Sequence, residues 1–421
     1  MKLIIKIFLP LAILALMQCG IAISQNLIKT QTIKMTTNTD SLTHSNNAVI
    51  GNNQFANNLF EHYIHSKEEA NKNTFFSPFS IYSALAMTSE GAKNRTAQEI
   101  QHVLHLPKID SIRQSGFESL INSINSTTTN YKLITANALW VEKEYKLLPK
   151  FLDITKQNYK ASAENVDFVL QPETARTTIN TWVENNTNNK IKELISKNDI
   201  TKNTRLILTN TIYFKGEWNH KFETSQTKEA DFIAINGTTE KVQMMHLQSS
   251  FSYYETEQVQ ILEMPYKNSE LSMIIILPKT GNSVQSISNP KNFNEFLNFK
   301  ANHELTQVSL PKFKLEKKYF LKDDLSKMGM TEPFTGNADF SGMTGHKELQ
   351  ISQVIHQTFV EVNEDGTEAA AATAVDMRAG GMPRKVEPKQ FNANHPFIFV
   401  IRHNATGALL FMGVVNNPNE K

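Results

Sequence analysis

The 421-residue chain carries 43 basic and 41 acidic side chains, a formal net charge of +2 and a hydrophobic fraction of 40%. So even a balance excludes bulk electrostatic recruitment to nucleic acid or an anionic membrane. No linker-like composition interrupts the chain after about residue 50, and one domain of roughly 370 residues is expected.

Met1-Lys2, an apolar run from Leu3 to Leu16, and Ala22-Ile23-Ser24 have the three regions of a secretory signal peptide over residues 1–24, which places the protein outside the cytoplasm. A membrane anchor is the competing reading, weakened by Lys6, Pro10 and Gln18, which break any clean apolar span. A lipid anchor on Cys19 is another, weakened because bulky Gln18 precedes it. Cys19 is the only cysteine, so loss of the signal leaves a chain without disulfides, stabilised by packing. Residues 25–52, rich in Asn, Thr, Ser and Lys, read as a flexible polar leader ahead of a domain at 53–421.

From Phe55 the apolar spacing turns helical through Leu59 and Tyr63. Ser77-Pro78 sets a capping hydroxyl before a first-turn proline, opening a helix that stops at Gly91. Thr96-Ala97-Gln98-Glu99 matches a capping box for a short helix before Pro107, and Asp110–Ile124 reads as the next one. Tyr131–Ala138 is a strand, and Pro149–Tyr159 and Pro172–Thr187 are helices. The near-continuous apolar run Leu206–Phe214 marks a central strand covered on both faces, interrupted by Asn210. Strands are expected near Phe251 and over Val259–Met264, Leu271–Leu277, Leu305–Lys314 and Ile355–Val362, with helices over Phe293–Phe299 and Tyr319–Met328. Phe397–Arg402 and Ala408–Val414 form a closing hairpin. Helices gathered in front of antiparallel-looking strands give an α+β class.

The stretch from Glu364 to Pro396 departs from this texture. Thr367, Ala369, Ala371, Thr373, Val375, Met377 and Ala379 fall on one parity, and Glu368, Asp376 and Arg378 on the other, as in a half-buried strand. Yet the residues are mostly alanine and run into Gly380-Gly381, Pro383 and Pro388, as in an exposed loop. An alanine-rich surface helix or an ordinary long loop competes with a strand held in reserve.

Seven segments together resemble the serpin family: NTFFSPFSIYSALAMTSEGA at 73–92, INTWVENNTNNKIKELI at 179–195, LTNTIYFKGEW at 208–218, LPKF at 310–313, ADFSGMT at 338–344, GTEAAAAT at 366–373 and HPFIFVI at 395–401. The resemblance covers about Asn53 to Pro418 and implies three β-sheets, eight or nine helices and a reactive loop at about 364–394. It implies that the loop enters the largest sheet as an extra strand once a protease has cut it. The odd-parity side would then turn inward and the even side face water, and small inward residues would enter without overpacking.

The same resemblance assigns a hinge to Glu364, Gly366, Thr367, Glu368, Ala369, Ala370, Ala371, Ala372 and Thr373, a polar cluster under the main sheet to Ser77, Ser80, Asn210 and His356, and the loop's point of entry to Trp218 and Lys312. Read by themselves, Ser77 is a helix cap, His356 a satisfied core histidine, and Lys312 with Glu364 a surface charge pair. The usual loop length counted from Gly366 puts the reactive bond at Gly380-Gly381, with Arg378, Met377, Met382 and Arg384 as alternatives. Glycine there suits narrow elastase- or subtilisin-like pockets, and Arg378 suits trypsin-like ones.

The chain lacks G-x-S-x-G, H-E-x-x-H, G-x-G-x-x-G and a phosphate-binding loop, so no enzyme and no cofactor are expected. His62 with His65 and His102 with His105 have helical spacing but no third ligand nearby, so no metal is expected. Lys314, Lys317 and Lys318 read as a solvated basic face, with a glycosaminoglycan site as the sharper alternative. The resemblance implies a monomer that traps a serine or cysteine protease in a covalent complex. A non-inhibitory carrier, chaperone or storage serpin is the alternative, and small residues at Thr367, Ala369, Ala371 and Thr373 favour the inhibitor.

Overall fold

The computed structural model describes residues 43–125, 131–300, 302–367 and 387–420. In chain order come α1 (43–64), β1 (Thr74–Phe76), α2 (Pro78–Ser89), α3 (Asn94–Val103), α4 (Asp110–Ile124) and β2 (Tyr131–Glu142). Next are α5 (Pro149–Tyr159), β3 (Ser162–Val166), α6 (Pro172–Asn186), β4 (Leu206–Glu217), β5 (Lys228–Ile233), β6 (Thr239–Glu255), β7 (Val259–Pro265) and β8 (Leu271–Pro278). The chain continues through α7 (Val284–Ile287), α8 (Pro290–Leu297), β9 (Asn302–Pro311), β10 (Phe313–Phe320), α9 (Lys322–Lys327) and α10 (Ser341–Thr344). It closes with β11 (Gln353–Asn363), the two-residue β12 (Gly366–Thr367), β13 (Lys389–Asn392), β14 (Phe397–His403) and β15 (Leu409–Val415).

The apolar run of β4 does what its composition demands. It sits inside a six-stranded sheet ordered β10-β11-β12-β4-β2-β3, and every residue from Leu206 to Phe214 is buried. Its inner face, with Leu208, Ile212 and Phe214, joins the main core. Its outer face meets a second core, in which Ile179 and Val183 of α6 and Ile191, Leu194 and Ile195 beyond it cover Trp140 of β2, Ile207 of β4 and Ile355 of β11.

The other nine strands connect through β6. Thr239–Met244 pairs with β5, Met244–Tyr253 with β9, and Ser252–Glu255 with β7. One 17-residue strand is thus shared by two sheets, β5-β6-β9-β13 and β6-β7-β8-β14-β15-β1, which with the six-stranded sheet gives three. Ten helices occur among the described residues, three of them six residues or shorter. The architecture is α+β, as the sequence leads one to expect.

Several local expectations need correction. α1 starts at 43, inside the stretch read as flexible leader, because Ala48, Val49 and Asn52 are buried. There the asparagines replace apolar anchors: Asn52 donates to Leu409 O at 3.1 Å and Asn53 to Gly407 O at 2.9 Å. The Thr96–Glu99 pair does not cap α3, which begins at Asn94. Instead the Thr96 hydroxyl accepts the Asp339 N–H and the Glu99 carboxylate accepts the N–H groups of Thr331 and Glu332, so both bind distant loops. The helix expected over Tyr319–Met328 shrinks to α9, because Phe313, Leu315 and Tyr319 turn inward at strand period in β10. β3, β5 and β13 were not expected. β13 means that the far end of the 364–394 loop is sheet, paired in parallel with β9.

Candidate functional site

Helix α2 enters the core at Ser77, whose extended backbone (φ −107°, ψ 103°) and hydroxyl cap it by accepting the Ser80 N–H at 3.2 Å. Pro78 follows at the first helical position, and all twelve residues of the helix are buried. The Ser77 hydroxyl also donates to Leu410 O at 2.6 Å. This helix start lies under the seam where β11 and β4 run in parallel, paired from Gln353 with Ile207 to Phe359 with Tyr213.

At the middle of the seam one row crosses four strands: Tyr319, His356, Asn210 and Asn137 stand opposite one another in β10, β11, β4 and β2. His356 Nε2 accepts the Ser77 backbone N–H at 3.0 Å, so its ring proton rides on Nδ1, which donates to Asn210 Oδ1. Asn210 Nδ2 in turn donates to Ser80 Oγ and Asn137 Oδ1. Full burial pushes the His356 imidazole down to about 3, so the ring is neutral. The four residues assigned to this cluster come together, and Asn137 completes them. Its signal was available in sequence: a buried strand interrupted by an asparagine, as at Asn210.

Above Phe359 the seam forks. Gly366 and Thr367 lie between the two strands, Gly366 opposite Asn363 and Glu217 and Thr367 opposite Val362 and Gly216. Gly366 has φ 150°, and a Cβ there would stand 2.1 Å from Gly216 O, so only glycine fits this approach. Thr367 is wholly buried, its Oγ1 2.7 Å from the Tyr266 hydroxyl. Burial raises the Tyr266 phenol far above its ordinary value.

Trp218 stacks on Tyr266 with ring centroids 4.6 Å apart, and its Nε1 donates to Asn363 O at 3.0 Å. Beside it, Lys312 Nζ stands 2.9 Å from the Glu364 carboxylate, which also accepts from Thr227 Oγ1 at 2.8 Å. Burial would raise the Glu364 carboxyl, but hydrogen bonds from Lys312, its own backbone and Thr227 outweigh burial and hold it below the usual carboxylate value. The backbone is pinned as well, since Phe222 N–H donates to Glu364 O at 3.0 Å. Glu364 is 10% exposed with several partners, so it is not the loose surface pair that composition permits.

Glu368 to Thr373 and the reactive-bond candidates Met377, Arg378, Gly380, Gly381, Met382 and Arg384 lie outside the described residues. The three clustered lysines diverge: Lys318 reaches Asp199 at 3.3 Å, Lys317 Glu420 at 3.8 Å, and Lys314 sits 5.1 Å over the Phe359 ring. His62 bonds Asp324 at 2.8 Å and His105 bonds Asn58 at 3.0 Å. Among the described residues no three His, Cys, Asp or Glu side chains gather as a metal site, and no helix is long and apolar enough to cross a membrane. The site is a forked sheet seam with Gly366 and Thr367 seated between its two strands.

Residues 50–418 match the family described as Serpin (serine protease inhibitor). The human protein Serpin B3 is 42% identical over 388 residues, covering 87% of this chain and 98% of that protein. The leukocyte elastase inhibitor of Xenopus tropicalis is 42% identical over 365 residues, covering 84% and 95%. The crystal structure of human thyroxine-binding globulin with its hormone superposes with a TM-score of 0.80 at 31% identity, covering 90% of this chain and all of that one. The chain belongs to the serpin family.

Proposed function

We propose that this serpin is a suicide inhibitor of serine proteases, with cysteine proteases as further targets. The protease nucleophile attacks the loop, expected at Gly380-Gly381, and the bond breaks to leave an acyl-enzyme on the amino-terminal side. The freed segment then continues β12 down the seam and carries the protease away before water can deacylate it.

The observation that carries this reading is the seating of Gly366 and Thr367 in the fork. Continued in register, the strand sets Ala369 between Phe214 and Val360, Ala371 between Ile212 and Thr358, Thr373 between Asn210 and His356, and Val375 between Leu208 and Val354. Those flanking apolar side chains belong to the main core, so the odd positions face inward and must be small. The even positions Ala370, Ala372 and Ala374 would pass beneath α6 and its trailing segment rather than into water, which accounts for alanine there. Only Glu368, beside Lys215, and the Asp376–Arg378 end remain for charge.

The thyroxine-binding neighbour keeps a carrier role in view, and the small inward side chains favour the inhibitor. Secretion, through the signal segment at 1–24, and a monomeric state complete the proposal. The test is incubation with a panel of serine and cysteine proteases. Inhibition predicts an SDS-stable adduct with at least one of them, and clean loop cleavage by all without adduct would overturn it.

A further inference from the structure

We infer that Tyr266 is the latch that keeps the hinge seated in the uncut chain, a positioning residue for strand insertion; its consequence for inhibition rests on the function proposed above. The Tyr266 ring is immobilised on two sides, stacked on Trp218 at 4.6 Å and set edge-on to Phe214 at 5.0 Å. Gly216, opposite Thr367, leaves the room: a Cβ on it would come within 2.8 Å of the Phe214 ring and 3.0 Å of the Tyr266 ring. The fully buried Tyr266 hydroxyl has one hydrogen-bond partner among the described residues, Thr367 Oγ1 at 2.7 Å, and Thr367 is itself fully buried. Each hydroxyl therefore satisfies the other, and withdrawal of Thr367 strands a phenol in the core. The backbone just ahead of the hinge is held separately, through Phe222 N–H to Glu364 O at 3.0 Å and Trp218 N–H to Asp365 O at 2.9 Å. Gly366 and Thr367 also pair through their backbones with β11 and β4, but among the described residues the one side-chain hydrogen bond that holds Thr367 inward is the one to Tyr266.

Two consequences point in opposite directions. A seated hinge shortens the loop available to a docking protease by two residues, about 7 Å of reach. The same seating completes the first step of insertion before any bond is cut. Removing the latch should speed association with the protease and make the later race against deacylation less efficient. General destabilisation of the fold has no reason to combine faster association with less efficient trapping.

The experiment uses the full uncut chain with Tyr266→Phe, Thr367→Val and the double variant, read by amide hydrogen exchange over residues 362–367. Each single variant should raise hinge exchange roughly tenfold while strands β4 and β11 below Phe359 stay as protected as before. The double variant, with neither hydroxyl left to satisfy, should move back toward wild type. Unchanged hinge exchange in both single variants would overturn the latch, and so would exchange that rises equally along the whole of β11. With a target protease, Tyr266→Phe should associate faster yet consume more inhibitor per enzyme inactivated. A wild-type chain that traps no protease but whose hinge exchange responds as stated leaves the latch standing and removes the inhibitory function alone.

Discussion

His356 and Asn210 stand opposite each other in β11 and β4, joined by a hydrogen bond from His356 Nδ1 that an entering strand has to break. A continued β12 register would bring Thr373 between them, with a hydroxyl able to accept from the imidazole and donate to the amide. Thr373→Val should therefore leave the intact protein's melting temperature unchanged, because the present bond does not involve it. After loop cleavage, the variant should lose about 1–3 kcal/mol of the stability that insertion confers, since two buried polar groups lose their replacement partner. Melting curves of intact and cleaved forms check this, and equal losses in both forms would place Thr373 elsewhere.

The same histidine sets a pH dependence. Its folded-state value of about 3 lies below the ordinary unfolded value near 6.5, so below about pH 6.5 the unfolded chain takes up a proton that the native seam refuses. Stability should fall as pH drops from about 6.5 toward 3, by up to ~1.4 kcal/mol per unit from this group. Glu364, held below its usual range, acts in the same direction but in a lower window: it stabilises above its unfolded value and loses that contribution as pH falls through its lower folded value. Denaturant unfolding at pH 7.5 and 5.5 separates the two. His356→Gln should be less stable than wild type at pH 7.5 and show a flatter decline between the two values. Parallel declines would mean that another group controls the seam.

The central strand was legible because burial on both faces writes a continuous apolar run into the sequence, as over Leu206–Phe214, whereas the alternation from Thr367 to Ala379 lies, beyond Thr367, outside the described residues. The asparagine-rich start of α1 was illegible because its anchors are hydrogen bonds from Asn52 and Asn53 to the β15 region, which no apolar period reports. Thr96 and Glu99 imitate a cap in sequence while binding segments more than 200 residues away. Tyr266 gave no signal, since its role arises from stacking on Trp218 and from a hydroxyl contact spanning 101 residues of sequence.

A stability test independent of the loop lies in α4. Arg113 and Glu90 are each 2% exposed and 2.7 Å apart, and Gln114 and Tyr159 also donate to Glu90. Burial would lower the Arg113 guanidinium, but the Glu90 pairing outweighs it and raises it above its ordinary value. Arg113→Ala strands the carboxylate and should cost about 3–5 kcal/mol. Arg113→Met with Glu90→Gln should cost much less, because no buried charge is left unpaired. Denaturant melts of the two variants compare them directly.

The seam register also makes the effect of a cut depend on its position. If the β12 register were continued, the last residue to gain a partner on β4 would be Met377, opposite Leu206 at the strand's start. A single cut after Met377 or later, through Arg384, should raise heat resistance sharply, because the whole strand can add its ladder of backbone bonds. A cut between Ala370 and Ala371 frees too little strand to part the His356 row and should give no such gain. The mass of the released carboxyl-terminal fragment identifies the bond, and one beginning at Ala379 would move the site from Gly380 to Arg378.

Parity itself is tested at the hinge. Thr367 is already buried against Tyr266, so Thr367→Arg cannot keep the hinge seated without placing an unpaired guanidinium in the core, at a cost of several kcal/mol. The arginine should hold the hinge outside the fork and delay entry at its first step. Deacylation does not wait, so water hydrolyses the acyl-enzyme and the protease leaves active, with the serpin cleaved. The variant should stay folded and behave as a substrate. Glu368→Arg changes the neighbouring position, which a continued β12 register would set on the outer face between Lys215 of β4 and Glu361 of β11. There an arginine loses one partner and gains another near solvent, so its effect should be small. The number of inhibitor molecules consumed per protease inactivated should rise at least several-fold for Thr367→Arg and stay near wild type for Glu368→Arg. Comparable values for the two would falsify the inward assignment of Thr367 in the inserting strand.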